Sequence, residues 1–499
     1  MQKLLLLPFF FISLIAIHAN NIQIENVSLA SQNTAQDFYM VEFDLTWENS
    51  WRTSTYESNW DAAWVFIKFT LKNQNDWQHA SLHYVNGTND GHTVPAGATY
   101  RTANNSYGTT TRGIGAFIYR DADGFGNINY QNVQLRWDYG ADGIFDSDIL
   151  EIAVYGIEMV YVRQGPFRVG DGTGDFGQFE RGNTGLPFDI SSENAITLGG
   201  TAIGNLSNNN AVGMVNADDF NYATTQTLPA AFPKGYDAYY CMKYEASQQQ
   251  YADFLSKLSP TGFSNRLTSG CVSGLAPINA PVFNVGNQEP RAAYPWRAMY
   301  CASWADAAAY LDWAGLRPLS ELEFEKACRG SEEPIANEYA WGNNKWGYTL
   351  IFTLQGEGPD EVIVDGMMEH SGNANIVGIL GGAGSSHVVR CGIFAASAVN
   401  KTRQETGGSY YGIMELTGNV AEYNISVGSS QTRDFTGRHG DGILQGSGNA
   451  SFSLLTDWSF VSGTGLGSRW SQVSRRQWAI ANVSNRTSIY GIRGCRTAP

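Results

Sequence analysis

The sequence predicts an α+β protein built from an N-terminal β-sandwich followed by a loop-rich domain with few helices. Three observations predict this class. Apolar and polar residues alternate with period two in Phe38-Tyr39-Met40-Val41-Glu42-Phe43-Asp44-Leu45-Thr46-Trp47 and in Trp64-Val65-Phe66-Ile67-Lys68-Phe69-Thr70-Leu71, the signature of strands with one buried face. Short periodic stretches at Ser247, Trp304 and Ser320 read as helices. From Met159 onward, glycine- and asparagine-rich connections run far beyond the usual span of about 2 to 6 residues, and such connections in a compact domain are either functional or pinned.

In chain order, Lys3 and the apolar run from Leu4 to Ile17, followed by His18-Ala19, have the layout of a secretory signal peptide over residues 1–19. Cleavage is expected after Ala19. Asn20 rather than a cysteine would then lead the mature chain, so no lipid anchor is expected, and no later run is long enough to span a membrane. The expectation is an exported protein, extracellular or on the outer cell surface. Residues 20–157 are predicted to form the β-sandwich, with further strands at Gly113 to Tyr119, Val133 to Trp137 and Ile149 to Val154 and turns at Asn86-Gly87 and Asp123-Gly124. Residues 158–499 are predicted to form the second domain. The acidic loops at Asp121 to Gly124 and Asp142 to Asp148 carry oxygen ligands, but neither completes a twelve-residue calcium pattern, and Asp-Gly turns cap hairpins for backbone reasons alone.

Helix signals then follow. Ser247 and Gln250 form a capping box before the stripe Tyr251, Phe254, Leu255 and Leu258, with Pro260 as the expected stop. Trp304 to Trp313 reads as an alanine-rich helix ended at Gly315, and Ser320 with Glu323 caps a third helix through Cys328. The net charge of −15 argues against nucleic acid or an anionic membrane as partner, since both require a basic footprint. The six cysteines all lie from Cys241 onward and none is spaced as CxxC, so bridges and buried thiols are expected, with the pairing open.

Several ordered blocks carry a family resemblance. They are Met159-Val160-Tyr161-Val162 with Phe167-Arg168-Val169-Gly170, Tyr244 to Tyr251, Ala302 to Tyr310, Trp313 to Glu325, Trp341-Gly342-Asn343, Gly412 to Glu422 and Gly491-Ile492-Arg493-Gly494. In this order they resemble the sulfatase-modifying-factor family, whose founding member is the formylglycine-generating enzyme. The resemblance implies a C-type-lectin-like fold. The family holds enzymes and non-enzymes, so function has to be argued from the site.

In the formylglycine-generating branch a C-terminal cysteine pair holds copper, whereas the matching stretch here, Gly465 to Trp478, contains no cysteine. Hydroxyl and amide groups do not replace thiolates for Cu(I), and Cys495 alone is not a pair. The iron-dependent branch needs a histidine-rich site, and His79 and His83 on a β segment lack a third ligand. No GxSxG elbow supports a hydrolase. The expectation is therefore a pseudoenzyme with no catalytic residues. The family's Gly-Asn-Val-x-Glu turn binds calcium, which places structural calcium at Gly418, Asn419, Val420 and Glu422 by resemblance. At the family's other calcium site Asn375-Ile376 is matched, but Arg390 lies near the expected aspartate and could replace the ion with its own charge.

The resulting expectation is an exported structural or interaction protein that binds protein partners or self-assembles, with phrases similar to those of gliding-motility and type IX secretion scaffolds of Bacteroidota. The alternatives are a calcium-dependent glycan binder, suited by 14 tryptophans and 25 tyrosines, and a metal-dependent oxidase of the same family.

Overall fold

The computed structural model describes residues 21–107, 110–173, 175–208, 213–267, 283–286, 289–346, 352–356, 358–376, 388–458, 462–463, 472–480, 486 and 490–499. The predicted leader, Cys271 and the part of the copper-equivalent stretch from Gly465 to Ser471 lie outside them.

The N-terminal half is built from β1 (Gln23–Asn33), β2 (Phe38–Arg52), β3 (Asp61–Leu71), β4 (Gln78–His79), β5 (Ala98–Tyr107), β6 (Thr110–Arg120), β7 (Gly124–Trp137) and β8 (Leu150–Val162). One sheet has the order β1-β2-β7. It faces β3 and β6 across a core in which Val41, Phe43, Leu45 and Trp47 of β2 meet Ala63, Val65, Ile67 and Phe69 of β3. The period-two pattern of β2 is thus realised directly, every second side chain pointing inward.

β3 departs from the one-sided expectation, because all of its residues except Leu71 are buried. Its opposite face, Ala62, Trp64 and Phe66, belongs to a second core shared with the C-terminal half. The Phe66 ring packs edge-on against Trp313 at 5.1 Å between centroids, and the Trp64 indole N–H donates to the Ala314 carbonyl at 2.8 Å. Even the polar Lys68 is enclosed, its ammonium donating to the Gly442 carbonyl at 2.8 Å. Each fully buried aromatic on this face contributes roughly 1.5–3 kcal/mol.

A single sheet crosses the two halves. Its order is Cys495–Thr497, Tyr239–Met242, β8, β3, β6, β5, with β4 paired to β3. β8 pairs with β3 from Asp61 opposite Val160 to Leu71 opposite Leu150, and also with the strand Tyr239–Met242, where Met242 lies opposite Met159. The predicted boundary at 157/158 falls inside β8. At this seam the Lys243 ammonium lies 3.3 Å from Asp61 and 2.9 Å from Glu158, all three side chains buried, while the Trp47 indole N–H and the Ser50 hydroxyl also donate to Asp61.

The C-terminal half is loop-rich, with short strands and helices that include α1 (Gln248–Ser256), α2 (Pro260–Arg266), α3 (Trp304–Trp313) and α4 (Glu321–Arg329). Ser247, Ser303 and Ser320 each close a capping box. Pro260 differs from its predicted role: α1 has already ended at Ser256, and Pro260 opens α2 behind the Ser259 cap, because proline loses nothing at a first helical position. Cys241, Cys328, Cys391 and Cys495 are buried free thiols and Cys301 is disulfide-bonded, so no bridge joins two described residues. No helix among the described residues is long and apolar enough to cross a membrane.

Candidate functional site

The stretch Tyr410-Tyr411-Gly412-Ile413-Met414-Glu415-Leu416-Thr417-Gly418-Asn419-Val420-Ala421-Glu422 sits where the two halves meet. The Asn59 carboxamide donates to the Tyr411 carbonyl at 2.7 Å. Gly412 has φ +82°, and a Cβ there would lie 3.0 Å from the Trp51 ring. Gly418 has φ +100°, and its Cβ would meet Ala374 and Asn375 at 3.0 and 3.2 Å, so both glycines meet a conformational and a steric demand.

The four residues predicted for calcium are gathered in one buried network. The Val389 amide donates to Asn419 Oδ1 at 2.9 Å. The Asn419 Nδ2 donates to Glu245 Oε2 at 2.7 Å, and the Val420 amide donates to Glu245 Oε1 at 3.2 Å. Arg493 Nε donates to Glu422 Oε1 at 2.6 Å while its other nitrogens donate to the Met242 and Met414 carbonyls. The Gly392 amide donates to Glu415 Oε1 at 2.7 Å. Glu415 Oε2 and Glu422 Oε2 are buried without a hydrogen-bond partner among the described residues.

Three buried carboxyls thus lie in the field of Arg493, which bonds Glu422 directly and acts on Glu245 and Glu415 through its charge. Burial, opposed mainly by Arg493, pushes Glu415 up to about 7. Glu245 lies well above the carboxylate range because of burial and then the charges of Glu415 and Glu422. For a cation, the two unpartnered oxygens are suitable, but Asn419 Oδ1 already holds the Val389 amide, and calcium takes about 6 to 8 oxygens. Among the described residues, no group of three or more His, Cys, Asp or Glu side chains is placed to hold a metal. Arg390 is buried, and its guanidinium donates to the Glu361 carbonyl at 2.8 and 3.0 Å.

His79 and His83 face different partners, the Ile114 carbonyl and the Asp138 carboxylate, each at 2.6 Å. In the copper-equivalent stretch Ser474 accepts from Arg329 and donates to Glu325, both at 2.8 Å, and Arg476 is ion-paired to Asp218 and Glu321. Cys495 has a neighbour that sequence spacing does not reveal: Cys241 lies opposite it in the sheet.

Beside the turn lies a groove of about 840 Å³, walled by Trp51, Tyr56 and Phe125 from the N-terminal half and by Arg403, Tyr410 and Met414 from the C-terminal half. Tyr56 is 88% and Phe125 77% exposed. Glu57, Glu332 and Lys401 also line it, and no cysteine or histidine does among the described residues. Large exposed aromatics lining one groove mark a contact surface. The groove was not predicted, because its walls come from segments more than 100 residues apart in the chain.

Residues 205–497 match the family model described as Sulfatase-modifying factor enzyme 1-like domain. No curated protein matches the chain.

Proposed function

Because this chain belongs to the sulfatase-modifying-factor family, whose C-type-lectin-like domain serves more than one end, we propose that it is a non-catalytic contact protein, exported and working in a cell-surface or extracellular assembly, with the seam groove as its contact site. The observation that carries this reading is the groove itself: open, rimmed by exposed Tyr56 and Phe125, and lined among the described residues by none of the thiol and imidazole groups that oxygen chemistry on copper or iron requires. The four free thiols among the described residues are buried, and burial raises Cys241 to about 12 and Cys328, Cys391 and Cys495 well above the usual thiol range. A thiol so placed is a poor ligand and a poor nucleophile.

The test combines composition and contact. Purified protein is expected to hold copper and iron well below stoichiometry and to consume no oxygen with a cysteine-containing peptide. Native co-purification with intact-mass analysis is expected to recover a complex or oligomer that the Tyr56→Ala/Phe125→Ala variant loses without a change in Tm. Stoichiometric copper or iron with thiol-dependent oxygen uptake overturns the reading.

The second reading, a calcium-dependent glycan binder, draws on the two unpartnered oxygens of Glu415 and Glu422 and on the aromatic rim. Gly418, Asn419, Val420 and Glu422 would hold the ion, with main-chain oxygens making up the shell. Under this reading, calcium added to chelator-treated protein raises Tm by several degrees and Glu422→Gln removes the rise. An unchanged Tm, together with glycan-array binding indifferent to calcium, eliminates it.

A further inference from the structure

In the sheet that joins the two halves, the strand Tyr239–Met242 and the strand Cys495–Thr497 run antiparallel with Cys241 opposite Cys495. The Met242 amide donates to the Gly494 carbonyl at 2.9 Å. Bonds of this offset flank rather than join the two cysteines, so they form a non-hydrogen-bonded pair, the type that brings facing Cα atoms to about 4.5 Å. That separation falls within the range of roughly 4.4–6.8 Å that a disulfide spans. Both side chains are 0% exposed and lie in one apolar cluster with Val160, Val162 and Leu319.

Cys495 is held from its other edge as well. Arg317 exchanges both backbone hydrogen bonds with it, at 2.8 and 2.9 Å, and the Arg317 guanidinium donates to Cys495 Sγ at 2.9 Å while bonding both oxygens of Glu323. That contact fixes the Cys495 sulfur in the docked strand, where burial outweighs the guanidinium and keeps the thiol well above its usual range. Cys391 is excluded as a partner because it packs in a different cluster, against Glu245.

We propose that Cys241 and Cys495 are a disulfide-forming site, a cross-strand bridge that ties the strand Cys495–Thr497 covalently to the centre of the sheet. The oxidant is an external disulfide, either a small molecule or the active-site disulfide of an oxidoreductase. The Cys495 thiolate attacks one of its sulfurs and releases a thiolate. The Cys241 thiolate then attacks Cys495 Sγ in the mixed disulfide and releases the second. The external disulfide gains the two electrons, and the two cysteine protons pass to the released thiolates.

Because neither sulfur is exposed in the folded protein, exchange takes place while the last strand is undocked, and the folded reduced chain resists it. The bridge closes a loop spanning most of the C-terminal half, a long loop whose closure removes many unfolded conformations.

The full chain is unfolded, reduced and refolded with or without oxidised glutathione, alkylated, digested and mapped by mass spectrometry. The expected result is a linked Cys241–Cys495 peptide only in the glutathione arm, with Tm several degrees above that of the reduced chain. Folded reduced protein exposed to oxidised glutathione is expected to stay unlinked, and Cys495→Ala is expected to lose both the linked peptide and the Tm gain, whereas Cys328→Ala keeps them. The wild-type mapping stands even if a variant does not fold. Complete alkylation of both cysteines after oxidative refolding, linkage of Cys495 to another cysteine, or stoichiometric Cu(I) that Cys241→Ala removes would each overturn the assignment. The readout is independent of any groove ligand, so it fails or holds separately from the contact function.

Discussion

Arg493→Met is expected to lower the unfolding free energy at pH 7.5 by about 3–5 kcal/mol, the cost typical of removing one partner from a buried ion pair. The side chain is 2% exposed and its guanidinium serves Glu422 and the carbonyls of Met242 and Met414 at once. Methionine fills the stem but leaves one carboxylate and two carbonyls unserved, beside Glu245 and Glu415. Arg493→Lys is expected to restore only part of the loss, because an ammonium does not reproduce the planar fork that reaches three acceptors.

The loss has a definite pH dependence. Glu415, raised to about 7 in the folded state, favours folding fully below its unfolded value, and this contribution disappears as pH rises through the folded one. Without Arg493 the carboxyls are held protonated further upward, and a neutral acid needs no cation, so the deficit at pH 5 is expected to be smaller than at pH 7.5. Urea unfolding followed by tryptophan fluorescence at the two pH values checks this. A deficit below about 1 kcal/mol at pH 7.5, the scale of an exposed pair, would show that the guanidinium is not balancing these charges.

Trp64→Ala is expected to cost about 3–5 kcal/mol, as large-to-small changes in a packed core do, and also to change the character of unfolding. Trp64 is 0% exposed, packs at 4.7 Å against the tilted ring of Phe117 and carries a hydrogen bond to Ala314 that joins the halves. In the wild type, far-ultraviolet circular dichroism and tryptophan fluorescence are expected to report one coincident transition. In the variant the transitions are expected to separate, because the cavity opens at the face that couples the two halves. Two separated transitions already in the wild type would show that the seam does not make them a cooperative unit.

Local chemistry was legible in the sequence and long-range pairing was not. Ser247, Ser303 and Ser320 cap their helices through contacts three residues away, and that information is contained in a four-residue window. β2 was legible because its two faces differ. β3 was read as half-buried because Lys68 and Thr70 are polar, but both are buried, Lys68 against the Gly442 carbonyl of the far half, and no periodicity encodes that. β1 and β5, rich in Asn, Ser, Thr and Gln, carry little strand signal of their own and are paired by their neighbours.

The same division holds at the site. Gly418, Asn419, Val420 and Glu422 are legible as a motif because they fall within one five-residue window. What occupies their polar atoms comes from Glu245, 174 residues before Asn419, and from Arg493, 71 after Glu422. Cys241 and Cys495 likewise meet only through strand register.

The strand Cys495–Thr497 has a consequence for synthesis. The strand Tyr239–Met242 presents its free backbone edge until residues made some 250 positions later arrive beside it. During that interval the nascent chain carries an unpaired edge flanked by apolar side chains, the feature most prone to pairing with another molecule. Ribosome-bound chains that have not yet reached Cys495 should therefore be the form that most needs a chaperone.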